Sequence, residues 1–167
     1  MIILGIDPGT ATTGYGVIET NGKGDFKVIN WGLIETDKNG FKENRLEIIY
    51  KEILAIIKSY NPHVFAFEKI FFATNAKTAI AVGQAQGVLL LAASKTKVEV
   101  VEYAPGTIKK MITGSGRANK KDVQRSIRKI LGNNIKSKAH KKTHFDNAAD
   151  ALAVALTHVF QSRKGPS

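Results

Sequence analysis

Apolar residues along this chain alternate between two spacings, and the switches mark its elements. Residues 2–6 form a short apolar run that stops at Asp7-Pro8-Gly9-Thr10, which predicts a buried strand with a sharp turn at its carboxyl end. Asp7 is thereby placed at a strand tip. Residues 13–19 alternate, with Tyr15 and Val17 on one face, and Asn21-Gly22 signals a turn before the β-forming run 26–35. These three segments predict an antiparallel meander. From Arg45 the spacing becomes helical, through Leu46, Ile49, Ile53, Ile56 and Ile57, until Asn61-Pro62 ends it. Residues 63–67 are again β-like and end at Glu68, so a second carboxylate occupies a strand end after a right-handed crossover.

Residues 75–94, rich in Ala, Leu, Ile and Gln with Gly83 and Gly87 inside, predict a long helix whose glycines permit close backbone approach. A short strand at 98–101, a short helix at 105–112 and a flexible loop at 114–118 follow. Val123, Ile127, Ile130 and Leu131 then line one face of a helix, a lysine-rich connection spans 133–143, and a last helix runs over 147–160 with Leu152, Ala155, Leu156 and Val159 as its core stripe. The order predicts an α/β layer structure, a five-stranded mixed sheet flanked by helices. No internal repeat interrupts it. The expected organisation is one domain over 1–161 and a flexible tail over 162–167.

Composition narrows the function. A chain of 167 residues can bury one good core, and its 43% hydrophobic share argues against disorder. No apolar run reads as long and uninterrupted enough to span a bilayer, and residues 1–7 lack the basic start and small-residue cleavage site of a secretion signal. A chain without Cys has neither disulfides nor thiolate metal sites, which fits a cytoplasmic location. The 25 Lys and Arg against 14 acidic residues give a net charge of +11, and the resulting field favours polyanions.

Asp7 and Glu68 end two strands expected side by side, about 5 Å apart. Asp150, four residues after Asp146 and three after Asn147, lies in the first turns of the last helix, where such spacings share a face. Carboxylates forced together repel unless protonated or neutralised, and hard oxygen ligands favour Mg2+ or Mn2+. Singly, each acid has a plainer role: Asp7 as turn former, Glu68 as a solvated strand end, Asp146 as helix N-cap. Together, beside so basic a chain, they point to metal-dependent phosphodiester hydrolysis.

At this point the sequence resembles a known family. Gly5-Ile6-Asp7-Pro8-Gly9-Thr10 and Thr13-Gly14-Tyr15-Gly16-Val17-Ile18-Glu19 are similar to the opening of the RuvC family of Holliday junction resolvases. Glu68-Lys69-Ile70-Phe71, Asn75, Gly83-Gln84-Ala85-Gln86-Gly87, Glu102-Tyr103, Gly114-Ser115-Gly116-Arg117-Ala118-Asn119-Lys120 and Ala149-Asp150-Ala151-Leu152-Ala153 agree in order and spacing. The resemblance implies a ribonuclease H-like fold and a homodimer that resolves four-way junction DNA by paired nicks. It also implies two Mg2+ per active site, with Mn2+ as substitute, and a branch-migration helicase complex as partner, without a membrane. Asp7, Glu68 and Asp150 match three of the family's four acidic positions. The fourth, usually Asp or His, is Asn147 here, and an amide cannot supply a carboxylate's charge. Either 147 carries an inactivating Asp-to-Asn substitution or Asp146 takes over the role. The first is favoured because Asp146 reads as the cap; His144 is a weaker candidate.

Lys109, Lys110, Arg117, Lys120, Lys121, Arg125, Arg128 and Lys129, then Lys136, Lys138, Lys141 and Lys142, form a stretch with Asp122 the only acid among them, suited to gripping DNA backbone. In the resemblance, Lys109 and Lys120 occupy basic positions tied to junction and active site, and Phe71 matches a stacking position that opens the junction. Ala79, Ile80, Val82 and residues 89–91 are expected to pack a twofold partner. Three rivals remain open on sequence: an actin-like ATPase, which needs two related domains; a branched-DNA binder without catalysis; and a ribosomal RNA ribonuclease of the same fold, against which the loop from Gly114 to Lys120 speaks.

Overall fold

In the computed structural model, which describes residues 1–70, 76–132 and 142–163 apart from the side chains of 142–147, the chain alternates as its spacing predicts. The elements are β1 (Ile2–Asp7), β2 (Thr12–Thr20), β3 (Phe26–Glu35), α1 (Lys42–Tyr60), β4 (Val64–Glu68), α2 (Ala76–Thr96), β5 (Glu99–Tyr103), α3 (Pro105–Thr113), α4 (Lys120–Leu131) and α5 (Lys142–Ser162). The sheet order is β3-β2-β1-β4-β5, with β1, β2 and β3 antiparallel and β1, β4 and β5 parallel. The expected meander and mixed sheet are both present.

Two apolar cores cover the two faces. Leu4, Ile6, Phe65 and Phe67 pack under Ile49, Ile53 and Ile57 of α1 and Leu89 of α2. Ile3, Val64 and Ala66 face the other way, under Ile108 of α3, Ile127 of α4 and the alanine-rich α5. Local signals fix most element ends. Asn61 closes α1 in the left-handed region (φ 44°), its N–H donating to the Ile57 carbonyl ahead of Pro62. Pro105 opens α3, and the Asn119 side chain caps α4 by accepting from the Asp122 N–H at 3.0 Å.

Four expectations need correction. α1 starts at Lys42 and α5 at Lys142, three and five residues ahead of the starts expected at 45 and 147. The first turn of α1, Lys42 to Arg45, is polar all round, and that of α5 offers Phe145 alone as an apolar position, so hydrophobic spacing has little purchase there. Asp146 therefore sits inside α5 and does not cap it, which removes the reason for preferring the substitution account of Asn147. α2 is, by length and composition, apolar enough to cross a bilayer, contrary to the reading of interrupted runs. It packs on α1 and β5. Leu89 is fully buried and cannot meet a partner, whereas Ile80 and Leu91 are exposed. At the carboxyl end, Ser162 still belongs to α5, and the Arg163 guanidinium donates to the Gly24 carbonyl and covers the Phe160 ring. Residues 164–167 lie outside the described residues.

Candidate active site

The two-residue period of a strand explains how the acids meet. Ile3, Gly5 and Asp7 share one side of β1, and Val64, Ala66 and Glu68 share the same side of β4. Parallel pairing sets Ile6 opposite Phe67, so Asp7 and Glu68 follow as neighbours at the carboxyl ends of adjacent strands. Both lie on the sheet face covered by α5, and α5 carries Asp150.

How closely α5 can approach is set by glycine. Gly5 and Gly16 are cross-strand partners. A methyl at position 5 would overlap the Ala151 carbonyl and stand 2.7 Å from the Ala155 nitrogen, and one at position 16 would stand 2.6 Å from Leu152 Cδ2. With no side chain at either place, the alanine face of α5 lies directly on the sheet. Asp150, one residue before Ala151, is thereby carried to the strand ends.

Electrostatics records the result. The Asp7 carboxyl is pushed up to about 7, first by burial, then by the charges of Asp150 and Glu68, with Lys120 pulling it partly back. Glu68 is raised too, by burial and Asp150, against Lys109 and Lys120. The Lys120 ammonium stands 2.8 Å from Asp150 Oδ2, and that hydrogen bond is the main reason its own pKa is raised. One cleft is lined by Asp7, Pro8, Glu68, Thr78 and Val82. A second recess on the far side of Glu68 is lined by Lys109, Lys120, Asp150 and Ile108. Glu68 borders both, so a continuous trough runs from Asp7 to the lysines.

Asp7, Glu68, Asp150, Lys109 and Lys120 are therefore brought together. Arg117, Lys121 and Arg125 are exposed and are not among the residues that line the trough, and Arg125 pairs with Asp122 at 3.5 Å. Phe71 lies outside the described residues, as do Lys136, Lys138 and Lys141 and the side chains of Lys142, His144, Asp146 and Asn147. Sequence reading missed the docking role of Gly5 and Gly16 and the pairing of Lys120 with Asp150. The first was visible only as a glycine at matching places in two strands, and the second had no local signal.

The family model for the crossover junction endodeoxyribonuclease RuvC matches residues 3–158. The chain belongs to the RuvC family. It is 44% identical over 162 residues to the RuvC of Caldicellulosiruptor saccharolyticus, covering 97% of this chain and 94% of that protein. It is also 44% identical over 158 residues to the RuvC of Halothermothrix orenii, covering 95% and 92%. The structure of Thermus thermophilus RuvC in complex with Holliday junction substrate superposes with a TM-score of 0.85 at 33% identity, over 99% of this chain and 96% of that one.

RuvC proteins are metal-dependent nucleases. The residues present suit a hard divalent cation: the donors are carboxylate oxygens, and Asp7 is raised first by burial and then by the charges of Asp150 and Glu68 beside it. Among the described residues no three acids or histidines already close into a cation cage. Lys120 holds Asp150 as the local counter-charge.

Proposed function

We propose that this chain resolves four-way DNA junctions by metal-dependent hydrolysis of phosphodiesters, with Asp7, Glu68 and Asp150 as its catalytic acids. The observation that carries the proposal is the meeting of two strand-end carboxylates with one from α5, close enough that the charges of Asp150 and Glu68 add to burial in raising Asp7. Asp7, Glu68 and Asp150, with the side chain at 146 or 147, would hold Mg2+, two ions per site, with Mn2+ as substitute. When bound, such ions lower the pKa of water and offset charge on the scissile phosphate.

The chain's own groups do the rest. Burial at the end of β1 keeps Asp7 partly protonated until a cation competes for its oxygens. Lys120 and Lys109 flank Glu68 and orient a phosphate by charge, while Lys120 also fixes the rotamer of Asp150. Arg117, Lys121 and Arg125 extend the positive surface along the duplex arms, and Phe71 stacks at the branch.

The exposed face of α2 beyond its first turns, with Gly83, Gly87 and Leu91, is the surface for a homodimer that sets two active sites for paired nicks. The proposal extends to a cytoplasmic location and to a branch-migration helicase complex as partner. A second reading, junction binding without nicking, is favoured by one observation alone, the amide at 147.

One experiment separates the two. This chain and Asn147→Asp are compared on synthetic four-way junctions and on linear duplex, with and without Mg2+. The expected result is Mg2+-dependent nicking of junctions, faster in Asn147→Asp. Junction binding with no nicking by either protein supports the second reading, and equal nicking of duplex sinks the resolvase reading.

A further inference from the structure

The first turns of α2 have two sides. Thr78, Ala79 and Val82 face the cleft that holds Asp7 and Glu68, whereas Lys77, Ile80, Ala81 and Gln84 face a separate cavity of about 310 Å³. Its opposite wall is Lys42, Arg45 and Leu46 from α1, and its third side is Thr10, two residues beyond the Pro8 that lines the catalytic cleft. Three cations from two helices thus converge beside the active site, outside the basic stretch of residues 109–129.

The guanidinium is held in place. Arg45 Nε donates to Thr36 Oγ1 at 2.9 Å, and the Thr36 hydroxyl donates to the Thr10 carbonyl at 2.5 Å. The Thr36 N–H donates to the Ala11 carbonyl at 3.0 Å, and the Thr13 hydroxyl to the Gly9 carbonyl at 2.7 Å. The loop that follows Asp7 is therefore one wall of both clefts, and Arg45 is tied to it. Among the described residues no partner is recorded for the Arg45 terminal nitrogens, which suits them to an anion. Glu43 and Glu47 are equally near to Arg45 in sequence, Glu47 pairing with Lys51, and Asp37 shares the Gly40 turn with the Arg45 side chain. Phe41, the residue before Lys42, is 74% exposed, and an aromatic beside a set of cations suits a nucleotide chain better than a free inorganic anion.

We propose that the cavity between α1 and α2, built from Lys42, Arg45 and Lys77, is a second phosphate-binding site for the DNA strand that enters the catalytic cleft. It fixes which phosphate reaches Asp7 and Glu68. The proposal rests on the junction-nuclease reading and names a contact outside the catalytic trough.

The test uses Lys42→Gln/Lys77→Gln, which keeps the Arg45 to Thr10 chain intact, with Lys58→Gln on the exposed part of α1 as control. Thermal unfolding of each variant is followed first to confirm the fold. Affinity for a four-way junction is then measured across salt concentrations, with intact DNA and with neutral methylphosphonate links placed one at a time beside the nicked position. The double variant is expected to bind about tenfold more weakly. The slope of log affinity against log salt should fall in magnitude by about 2, since each phosphate contact contributes about 0.9. A single neutral link should weaken the unaltered protein more than the double variant, which keeps Arg45 alone at the site. If the unaltered chain prefers junctions but the double variant keeps the salt slope of the Lys58→Gln control, this proposal alone is overturned. If the unaltered chain shows no junction preference, the nuclease reading falls and this proposal with it.

Discussion

The two faces of the sheet are packed by different means and do different work. The face under α1 and α2 is filled by bulky side chains, with Leu4, Ile6, Phe65 and Phe67 against Ile49, Ile53 and Leu89. The other face also has bulky residues toward α3 and α4, but directly under α5 it closes at Gly5 and Gly16, against Ala151, Leu152 and Ala155. Large side chains hold a helix at a distance that tolerates adjustment; glycine against alanine leaves contact between backbones and none to spare. Every second residue of β1 and β4 belongs to each face, so the same strands that anchor the bulky core deliver Asp7 and Glu68 to the tight one. The acids sit where helix position is most constrained, which a metal-dependent site requires.

Asp7→Asn should produce the largest effect on activity. Nicking is expected to fall by at least about 10²–10³-fold, read as single-turnover cleavage of a junction. Stability should move the other way. The folded-state pKa of Asp7, about 7, lies above its ordinary 3.8, so its favourable contribution is complete below pH 3.8 and is lost as pH rises through 7. Metal-free protein should therefore lose Tm between pH 4 and 7, and Asp7→Asn should flatten that slope. At pH 8 the variant should melt several degrees higher, at about 2–4 °C per kcal/mol for a chain of this size. An unchanged Tm profile would mean that Asp7 is solvated and that the tight face confers no strain on it.

Gly5→Ala tests the packing itself. The added methyl meets backbone atoms of α5, which cannot swing aside as a side chain can. A loss of about 1–3 kcal/mol is expected, together with a loss of nicking beyond what the unfolded fraction explains. Raising the Mg2+ concentration should recover part of the activity if α5 has merely lifted Asp150 away. Full activity in a stable Gly5→Ala would break the link drawn between close docking and the site.

Much of this was legible in the sequence, and the illegible parts share a cause. The strands and the stripes of α1, α4 and α5 follow from residue spacing, and Asp7, Glu68 and Asp150 follow from strand tips and a helical turn. The start of α5 at Lys142 was hidden because a first turn with Phe145 as its one apolar residue shows no hydrophobic period. The pairing of Gly5 with Gly16 depends on strand register, and the gathering of Lys42, Arg45 and Lys77 depends on how two helices pack. Neither is a local property of the chain. The RuvC resemblance pointed to the three acids without supplying the reason that they converge.

Lys120→Gln should act by a smaller margin, through charge. Lys120 pulls the pKa of both Asp7 and Glu68 down, so its removal raises both. The acid limb of the rate against pH should shift to higher pH, with about tenfold slower nicking near neutrality and a smaller deficit at pH 9. An equal deficit at every pH would assign Lys120 to phosphate contact alone, without a part in tuning the acids.

Ile53→Val, on the opposite face, should be the mildest change and the best control for the contrast. Ile53 is fully buried between α1 and the sheet, and deleting one methylene there is expected to lower stability by about 0.5–1.5 kcal/mol, seen as a lower midpoint in urea with an unchanged slope. That loss is comparable with the lower range expected for Gly5→Ala. Because a void among large side chains is partly filled by their relaxation, the positions of Asp7 and Glu68 should not move, and nicking at saturating junction should stay within about twofold. The pair of variants thus compares similar losses of stability with different losses of activity. If Ile53→Val slows nicking as much as Gly5→Ala does, the site responds to global stability, and the difference between a tight face and a tolerant one has no functional meaning.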